Sequence, residues 1–324
     1  MDYRKLGRTG LKVSPLCLGT MTFGWTSDEQ NAYAVFDAAF DAGINFIDTA
    51  DVYTRWHPGN PGGVAETYIG KWIKNKPRDQ IILATKVRGR MGEGVNDEGL
   101  GRAHMMSAVE ASLKRLQTDY IDLYQSHSPD DTVPIEETLR AYDDLVRQGK
   151  VRYIGASNYN AWRLMKALWT SDKNNLARYD CLQPRYNLVW RAEFERELMD
   201  VCRTEGIGVI PYSPIQGGFL SGKYKRGQPA PKGTRGESSP RIQEFLKNDR
   251  AFAVVEKCDE VGKKHNKTIA QVAIAWLLAN PVVTSPIIGV NNVAQLQEFL
   301  GAVNFKLSAD DKKSLDDASA YQFA

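Results

Sequence analysis

The sequence lacks the patterns that define several large classes of protein. It has only four cysteines in 324 residues, and none stands in a CxxC pair or at a spacing typical of metal ligands. Their mostly apolar surroundings, as in SPLCLG, predict buried, reduced thiols and a cytoplasmic protein. No stretch approaches the ~20 apolar residues of a membrane-spanning helix, and the N-terminal MDYRKLGRTG has no signal core, so no membrane insertion is expected.

An excess of charge of one sign is missing as well. Lys and Arg number 42 and Asp and Glu number 39, which leaves a net charge of +3. This near balance gives no reason to expect a nucleic acid or an anionic membrane as a partner. A GxGxxG motif is also absent, so a dinucleotide would not be bound in the Rossmann manner.

The sequence does contain a repeated alternation of amphipathic stretches and short apolar segments. Stretches such as NAYAVFDAAFDAG, which stops at Gly43, have apolar residues at the three- and four-residue spacing of a helix. The apolar segments have the length and near-continuous hydrophobicity of buried parallel strands. There are eight of them, near residues 16–20, 44–48, 81–86, 121–125, 151–157, 181–183, 206–213 and 285–290.

Eight alternations in a chain of this length predict an α/β fold, a single (β/α)8 TIM barrel that occupies residues 1–324 as one domain. Two additions are expected at its ends. The opening YRKLGRTGLKVSPL predicts an N-terminal β-hairpin around Gly7–Gly10. The closing LSADDKKSLDDASAYQFA predicts a C-terminal helical extension, with one helix that starts after Ser308 and a short tail near the rim.

Four ionisable residues stand where apolar strands end. Asp48 closes INFID, Tyr53 follows in DTADVY, Lys86 closes IILATK, and His127 follows IDLYQS. Barrel strands end at one rim, where barrel active sites lie, so these side chains should converge. A nearby lysine lowers the pKa of a tyrosine, an aspartate holds the lysine, and a histidine contacts the same substrate oxygen. Each residue alone fits a structural role better, as a loop cap, a rim aromatic, a solvated strand end or a core histidine, but together they predict a general acid aimed at a carbonyl.

Amides, hydroxyls and an aromatic ring end the later strands. These residues are Ser157, Asn158, Gln183, Tyr212, Ser213 and Pro214. A ring that carries an amide, stacks on Tyr212 and is held by these polar groups describes nicotinamide. The alternative is that Ser157 and Asn158 only cap the next helix.

A basic segment, residues 213–247, interrupts the alternation. Between residues 221 and 241 it has one acidic residue, Glu237, and six basic ones: Lys223, Lys225, Arg226, Lys232, Arg235 and Arg241. One interpretation is a solvated, partly disordered loop. The other is a lid over an anionic ligand, since long loops in compact domains are often functional. The sequence leaves both open.

Several strings resemble the aldo-keto reductases: LGTMTFG, DTADVYTRW, ATK, LYQSH, GASN, QPRYN, PYSP and GGFLSGKY, in this order. The resemblance covers essentially the whole chain. It implies a (β/α)8 barrel with the hairpin at its bottom, and NADPH-dependent reduction of aldehydes and ketones by hydride transfer from nicotinamide C4. It also implies that Tyr53 is the general acid, that Lys86 and Asp48 tune it, and that His127 orients the substrate.

The resemblance further implies a set of cofactor-binding residues. Ser157, Asn158 and Gln183 match the contacts to the nicotinamide amide, Tyr212 matches the stacking ring, and the start of the basic segment matches the diphosphate loop. The full set is Gly19, Thr20, Met21, Asp48, Ser157, Asn158, Gln183, Tyr212, Ser213, Pro214, Ile215, Gly218, Leu220, Lys223, Ile288, Gly289, Asn291, Gln295 and Glu298.

The sequence departs from the family pattern at the adenine end. Asn291 stands where a basic residue usually holds the 2′-phosphate, and Phe299 stands where an Asn contacts adenine, whereas Gln295 and Glu298 match. A missing Arg removes a bidentate, charge-assisted phosphate contact. NADP is therefore expected to bind with weak discrimination against NAD. Lys223 or Arg235 would compensate for the missing phosphate contact.

Two other functions remain as alternatives. A lysine at a strand end is also how Schiff-base barrel lyases are built, with Lys86 as the nucleophile. Some members of the resembled family are regulatory subunits of potassium channels with slow turnover; the lack of an extra N-terminal segment favours a free-standing enzyme. The expected partner is a small aldehyde or ketone, and Trp25, Trp56, Met91 and Trp190 either wall its pocket or serve in packing.

Overall fold

The computed structural model of the chain describes residues 1–321, so residues 322–324 of the predicted tail lie outside the described part. A hairpin of β1 (Arg4–Lys5) and β2 (Lys12–Val13) opens the fold. Eight parallel strands follow: β3 (Cys17–Gly19), β4 (Phe46–Asp48), β5 (Ile82–Val87), β6 (Ile121–Ser126), β7 (Val151–Ser157), β8 (Tyr179–Gln183), β9 (Gly208–Val209) and β10 (Ile287–Gly289).

The strands form a barrel in the order β10-β3-β4-β5-β6-β7-β8-β9. Two further hydrogen bonds join its two edges: the Thr284 amide donates to the Val209 carbonyl of β9 (2.8 Å), and the Ile287 amide of β10 donates to the Pro211 carbonyl (2.9 Å). The predicted (β/α)8 barrel and the N-terminal hairpin are both confirmed.

Helices cover the outside of the barrel and extend its C-terminal end. They are α1 (Glu29–Asp41), α2 (Val64–Ile73), α3 (Arg102–Leu116), α4 (Ile135–Arg147), α5 (Ala161–Asn174), α6 (Ala192–Glu195), α7 (Leu198–Glu205), α8 (Arg235–Ser238), α9 (Pro240–Phe245), α10 (Asp249–His265), α11 (Ile269–Leu278), α12 (Val293–Leu300) and α13 (Ala309–Ala318). Ser308 caps α13 by accepting from the Asp311 amide, as predicted. Within residues 1–321, no helix is both long and apolar enough to cross a membrane.

Side chains alternate along each strand between the inside and the outside of the barrel, and this alternation decides which side chains point inward. Phe46, Ala84 and Leu123 belong to the small apolar cluster inside the barrel, which Leu6 and Val13 of the hairpin segment close. Their strand neighbours, such as Ile47 and Leu83, pack outward under the helices. The next inward positions therefore lie above an apolar floor, at the carboxyl ends of the strands.

Two predicted elements differ from the structure. The apolar segment 206–213 yields only the short β9, because Gly206 ends α7 with a φ of +65° and Pro211 has no N–H to donate to a ladder. The stretch EFERELMDVCRTEG forms α6 and α7 and not one helix, since Glu197 leaves helical geometry (φ −141°, ψ −41°).

The basic segment is folded against the barrel and is not a structureless loop. It contains the turn Gln216–Ser221 and the short helices α8 and α9. Phe219 and Phe245 are buried in the main core, with ring centroids 5.4 Å apart. Apolar burial therefore orders this segment, and its role as a lid stays a prediction.

Candidate active site

The inward positions at the carboxyl ends of neighbouring strands are polar. Two residues beyond Phe46, Ala84 and Leu123, the alternation places Asp48, Lys86 and Gln125 inside the barrel. Strand register aligns Lys86 with Gln125, and Asp48 lies beside the same layer. Asp48 and Lys86 thus converge as the sequence predicted.

Lys86 is the buried centre of this layer, with no exposed surface. Its ammonium donates to Asp48 Oδ2 (2.6 Å), to the Thr49 carbonyl (2.8 Å) and to the Tyr53 hydroxyl (3.3 Å). Burial by itself would lower the pKa of Lys86, but the charges and hydrogen bonds of Asp48 and Tyr53 raise it above its usual value. Lys86 therefore stays charged at neutral pH, with all three of its N–H groups engaged.

Asp48 is held by two amides as well as by Lys86. Its Oδ1 accepts from Gln125 Nε2 (3.0 Å) and from Gln183 Nε2 (2.8 Å). Asp48 is only 2 % exposed, so the pair it forms with Lys86 is shielded from solvent. A shielded, fully hydrogen-bonded pair fixes the position of the ammonium under Tyr53.

Tyr53 lies above Lys86, where it meets the predicted partners. Its ring centroid is 5.8 Å from that of His127. Burial raises the pKa of Tyr53, and the charge and hydrogen bond of Lys86 oppose that rise without cancelling it. Lys86 thus lowers the pKa of Tyr53 as expected, but burial outweighs this effect and the net pKa lies above the usual value of a tyrosine. Lys86 still lowers the energy of the phenolate relative to a buried tyrosine without a cation.

His127 directly follows β6, and its amide donates to the Val87 carbonyl (3.0 Å). Burial lowers the pKa of His127 to about 3, and the positive charges of Lys86 and Arg88 add to the effect. The imidazole is therefore neutral at physiological pH. A neutral ring beside Tyr53 is suited to donate a hydrogen bond to a carbonyl oxygen and not to supply a proton.

The amides and hydroxyls of the later strands lie at the same rim. The Tyr212 hydroxyl donates to Asn158 Oδ1 (2.9 Å), and Asn158 Nδ2 donates to the His127 carbonyl (2.9 Å) and to Ser157 Oγ (3.0 Å). Helix α5 is capped by Asn160, so Ser157 and Asn158 do not cap it. The Asn158 amide is engaged at both ends, and Gln183 Oε1 alone among these amide groups accepts from no described residue.

The predicted diphosphate loop has a cationic, glycine-lined form. Gly217 and Gly218 both have positive φ, +61° and +95°. A Cβ on Gly218 would lie 2.6 Å from Lys223 Nζ, and a Cβ on Gly217 would lie 3.8 Å from Arg235 Nη1. Neither Lys223 nor Arg235 forms an ion pair with a described residue. Two unneutralised cations thus flank a backbone that a bulkier residue would obstruct.

The adenine-end residues lie around the start of α12. Asn291 Oδ1 accepts from Thr26 Oγ1 (2.9 Å), and the backbone N–H of Asn291 donates to Gln295 Oε1 (2.8 Å). The Glu298 side chain is partly exposed on α12. Phe299 is only 4 % exposed and packs in the main core, so it does not take the place of an adenine-binding amide.

The remaining predicted cofactor residues differ in their exposure and contacts. Thr20 donates to the Asp48 carbonyl through both its amide (3.0 Å) and its hydroxyl (3.1 Å). Leu220 and Ile288 are fully buried, so their side chains face the core and not the rim. Others at or near the strand ends are at least partly exposed, namely Met21, Ser213, Ile215 and Gly289, whereas Gly19 and Pro214 are buried.

The predicted substrate-pocket residues divide into two groups. Trp56 packs edge-on against Tyr53 (5.7 Å between centroids) and against Trp25 (5.9 Å). Met91 lies next to Gly62, where an added Cβ would be 3.1 Å from Met91 Sδ. Among the described residues, Trp190 has no ring contact with these aromatic side chains; it packs on the guanidinium of Arg185 (3.6 Å to the ring centroid). Trp25 and Trp56 are 38 % and 46 % exposed, so both rings are open to solvent, and their role as a pocket wall stays a prediction.

Several functional groups were missed at the sequence level. Gln125 holds Asp48, and counting two residues from the inward Leu123 would have found it. Arg88 acts electrostatically on His127 and donates to the Pro129 carbonyl (3.0 Å), for which the sequence holds no signal. Among residues 1–321, no group of three His, Cys, Asp or Glu side chains could hold a metal ion.

A second buried carboxyl group, Asp51, lies beside the cluster. It has no exposed surface, and neither oxygen has a well-formed hydrogen bond to a described residue, although the Val52 amide partly compensates. Burial raises the pKa of Asp51 well above its usual value, and Glu66 adds to the rise while Arg115 and Lys86 oppose it. The folded state thus binds this proton more tightly than the unfolded chain, so stability falls as pH rises above about 4.

The variant Asp51→Asn should therefore raise the thermal unfolding temperature, and by more at about pH 8 than at about pH 5. It keeps the shape of the neutral carboxyl group and removes its titration. Thermal unfolding of both proteins at the two pH values measures the effect. If the variant unfolds at the same temperature as wild type or at a lower one at about pH 8, the buried, unpaired state of Asp51 is contradicted.

Comparison with known proteins gives matches along nearly the whole chain. The family profile described as "Aldo/keto reductase family" matches residues 15–320. "Uncharacterized oxidoreductase YrpG" of Bacillus subtilis (strain 168) is 40 % identical over 98 % of this chain and 95 % of its own. "Protein tas" of Escherichia coli (strain K12) is 36 % identical over 96 % and 95 %. "Probable voltage-gated potassium channel subunit beta" of Arabidopsis thaliana is 35 % identical over 94 % and 92 %.

Proposed function

This chain belongs to the aldo/keto reductase family, and on that premise we propose that it reduces aldehydes and ketones to alcohols with NAD(P)H, with Tyr53 as the general acid. The family and the names of its relatives support an oxidoreductase that acts on small carbonyl compounds. The observation that carries the finer proposal is the buried contact chain from Asp48 through Lys86 to Tyr53.

The proton transfer follows from that chain. When bound, NAD(P)H would supply a hydride from nicotinamide C4. Tyr53 donates its proton to the carbonyl oxygen, and the phenolate that remains lies against the Lys86 ammonium (3.3 Å). Asp48 keeps the ammonium in place, and neutral His127 donates a hydrogen bond to the same oxygen. Fixed charges in a buried site stabilise the developing phenolate without reorganising.

The residues present fit a dinucleotide in part. Lys223 and Arg235, both without ion pairs to described residues, suit its phosphates around Gly217 and Gly218. Gln183 Oε1 is free to accept from the nicotinamide amide, and the Tyr212 ring is partly exposed for stacking. Asn158 would have to exchange its present partners to serve as the second amide contact.

The direct test is to titrate NADPH and NADH separately and then assay a panel of aldehydes with the cofactor that binds. The proposal expects quenching or enhancement of cofactor fluorescence on binding and aldehyde-dependent oxidation of the cofactor. Binding of neither cofactor would contradict it.

The preference between the cofactors gives a prediction of its own. Asn291 cannot pair with a 2′-phosphate as Arg can, and a charge-assisted phosphate contact is worth roughly 1.5–3 kcal/mol, about ten- to a hundred-fold in affinity. We expect wild type to bind NADPH with weak discrimination against NADH, and Asn291→Arg to sharpen the preference for NADPH. Arg235→Gln should instead weaken binding of NADPH more than of NADH.

Fluorescence titration of both cofactors measures this, and Arg226→Gln is the matched control. Arg226 lies in the same basic segment but is already paired with Asp249 (2.6 Å) and Glu256 (2.9 Å). The contrary result is a wild type that already prefers NADPH a thousand-fold, on the order of 4 kcal/mol, with a preference that Asn291→Arg does not change. That result would show that the basic segment alone holds the phosphate.

A second candidate function is a channel-type regulatory subunit that turns over slowly. The similarity to the Arabidopsis thaliana protein favours it. The two functions differ in rate and in partner: a regulatory subunit would bind cofactor, turn over slowly with every aldehyde of the panel, and co-purify with a membrane protein.

The Schiff-base lyase has less support from the geometry. A nucleophilic lysine must lose its proton, whereas Lys86 donates all three N–H groups, and its neighbours raise its pKa.

The proposal also places the protein in the cytoplasm, where thiols stay reduced, since its four cysteines are buried and unpaired.

A further inference from the structure

The proposed mechanism leaves one arginine at the rim unused. Arg185 lies two residues beyond Gln183, and its backbone forms a parallel bridge with that of Tyr212. Both neighbours belong to the candidate site, so Arg185 is fixed at the same edge of the barrel. It is only 9 % exposed, which is unusual for an arginine without a carboxylate partner.

Few of the hydrogen-bonding groups of Arg185 are satisfied. Its Nε donates to Gln216 Oε1 (3.3 Å), and its guanidinium lies over the Trp190 ring at 3.6 Å from the centroid. Its Nη2 is buried without a partner. Neither terminal nitrogen donates to any residue of the described chain. Both terminal nitrogens of a stacked, immobilised guanidinium thus lack a protein acceptor, which suits bidentate contact with an anion.

The charges around Arg185 leave it unneutralised. Burial lowers the pKa of Arg185 to about 10, and the positive Arg241 of α9 contributes to the fall. Glu193 and Glu244 act in the opposite direction from beyond ion-pair distance, and Glu193 already accepts from Trp190 Nε1 (2.8 Å). Arg185 and Arg241 together therefore favour a bound negative charge at this place.

The position of Arg185 relates it to the reacting carbonyl. Tyr212 is the link: its backbone pairs with that of Arg185, its hydroxyl donates to Asn158 Oδ1 (2.9 Å), and Asn158 Nδ2 donates to the His127 carbonyl (2.9 Å). A group held by Arg185 would thus lie beside Tyr212, at the same rim as His127 and the Tyr53 ring that packs on it. That position suits the second functional group of a small bifunctional molecule.

We propose that Arg185, held flat on Trp190, binds a carboxylate carried by the aldehyde or ketone substrate, so that the enzyme prefers carbonyl compounds with a carboxylate. The inference rests on the proposed reductase function and names its substrate class. The same guanidinium chemistry would also suit a phosphate of the cofactor, which the experiment separates.

The test compares meta-carboxybenzaldehyde with its methyl ester, two aldehydes of similar reactivity that differ in charge. Wild type should show a higher kcat/KM for the acid. Arg185→Gln should lower the acid-to-ester ratio by about ten- to a hundred-fold, mainly through KM. Arg203→Gln is the control: it removes the same charge from an exposed arginine of α7 that pairs with Asp200.

The outcomes separate the two sources of the anion. The carboxylate assignment is wrong if Arg185→Gln leaves the acid-to-ester ratio unchanged, or if it weakens the binding of NADPH and not that of the acid. Arg185→Lys keeps the charge but not the fork, and it should retain part of the preference. This second variant also provides the comparison if Arg185→Gln does not fold, as judged by circular dichroism.

A binding measurement separates this inference from the reductase function. Benzoate should raise the thermal unfolding temperature of wild type more than neutral benzamide does, and this difference should vanish in Arg185→Gln. If wild type reduces neither aldehyde but shows this effect, the anion site stands and the reductase function is wrong. If benzoate and benzamide act alike on wild type, the anion site is overturned.

Discussion

Replacing Tyr53 with Phe is expected to lower the rate of aldehyde reduction by a factor on the order of 10² or more. The change removes the only hydroxyl that touches the Lys86 ammonium (3.3 Å) among the described residues. It keeps the ring, with its edge contacts to Trp56 and His127. The pocket shape and the affinity for the cofactor should therefore hardly change. Steady-state kinetics and a cofactor titration on the same preparation measure both quantities.

The matched control is Tyr120→Phe. Tyr120 precedes β6, so it lies at the opposite end of the barrel, between the guanidinium groups of Arg78 and Arg152. It loses the same atom without touching the site and should keep wild-type kinetics. Full activity in Tyr53→Phe would show that another group donates the proton, and neutral His127 would be the next to test.

The barrel and the centre of the site follow from local regularities in the sequence. Period-two alternation separates Phe46 from Ile47 and brings Asp48 inside, and the same counting from Ala84 brings Lys86 inside. Parallel register then places these residues next to each other. Neighbouring strands with a common direction are enough to predict this convergence.

Burial was the part that the sequence could not supply. A lysine beside Tyr53 was expected to lower its pKa, but desolvation outweighs that charge and raises it. Desolvation depends on everything packed around the phenol, which no local pattern records. The same applies to Asp51, which is fully buried although nothing in its local sequence indicates it.

Contacts between loops were also beyond the sequence. Arg235 of the basic segment lies over Trp25 (5.6 Å to the ring centroid), and Arg185 lies over Trp190. The first pair joins distant parts of the chain through tertiary packing, and the second is set by the turn between Asn187 and Trp190 within one loop. The sequence identified the residues as basic or aromatic, and only their positions show which cations remain without a carboxylate.

Replacing Lys86 with Met is expected to reduce both activity and stability. Activity falls because the phenolate of Tyr53 loses its cation. Stability falls because Asp48 Oδ2 loses its donor, although Gln125 and Gln183 still donate to Oδ1. Breaking a buried ion pair from one side costs about 3–5 kcal/mol, and the two amides should bring the loss to the low end of that range.

The pH dependence of that loss has a definite sign. The folded-state pKa of Lys86 is raised above its unfolded value. The stabilisation is therefore fully present below the unfolded lysine pKa of about 10.4 and is lost as pH rises through the folded value. The stability difference between wild type and Lys86→Met should be constant through the neutral range and narrow only in strong alkali, which chemical denaturation at several pH values measures.

The double variant Lys86→Met/Asp48→Asn separates the two effects. Removing both charges leaves no buried carboxylate without a cation, so stability should recover in part, while reduction stays slow because no ammonium faces Tyr53. A double variant that regains activity along with stability would show that Lys86 serves only the fold. Lys86 would instead have a covalent role if an added primary amine restored the activity of Lys86→Met and borohydride trapped substrate on Lys86 of wild type.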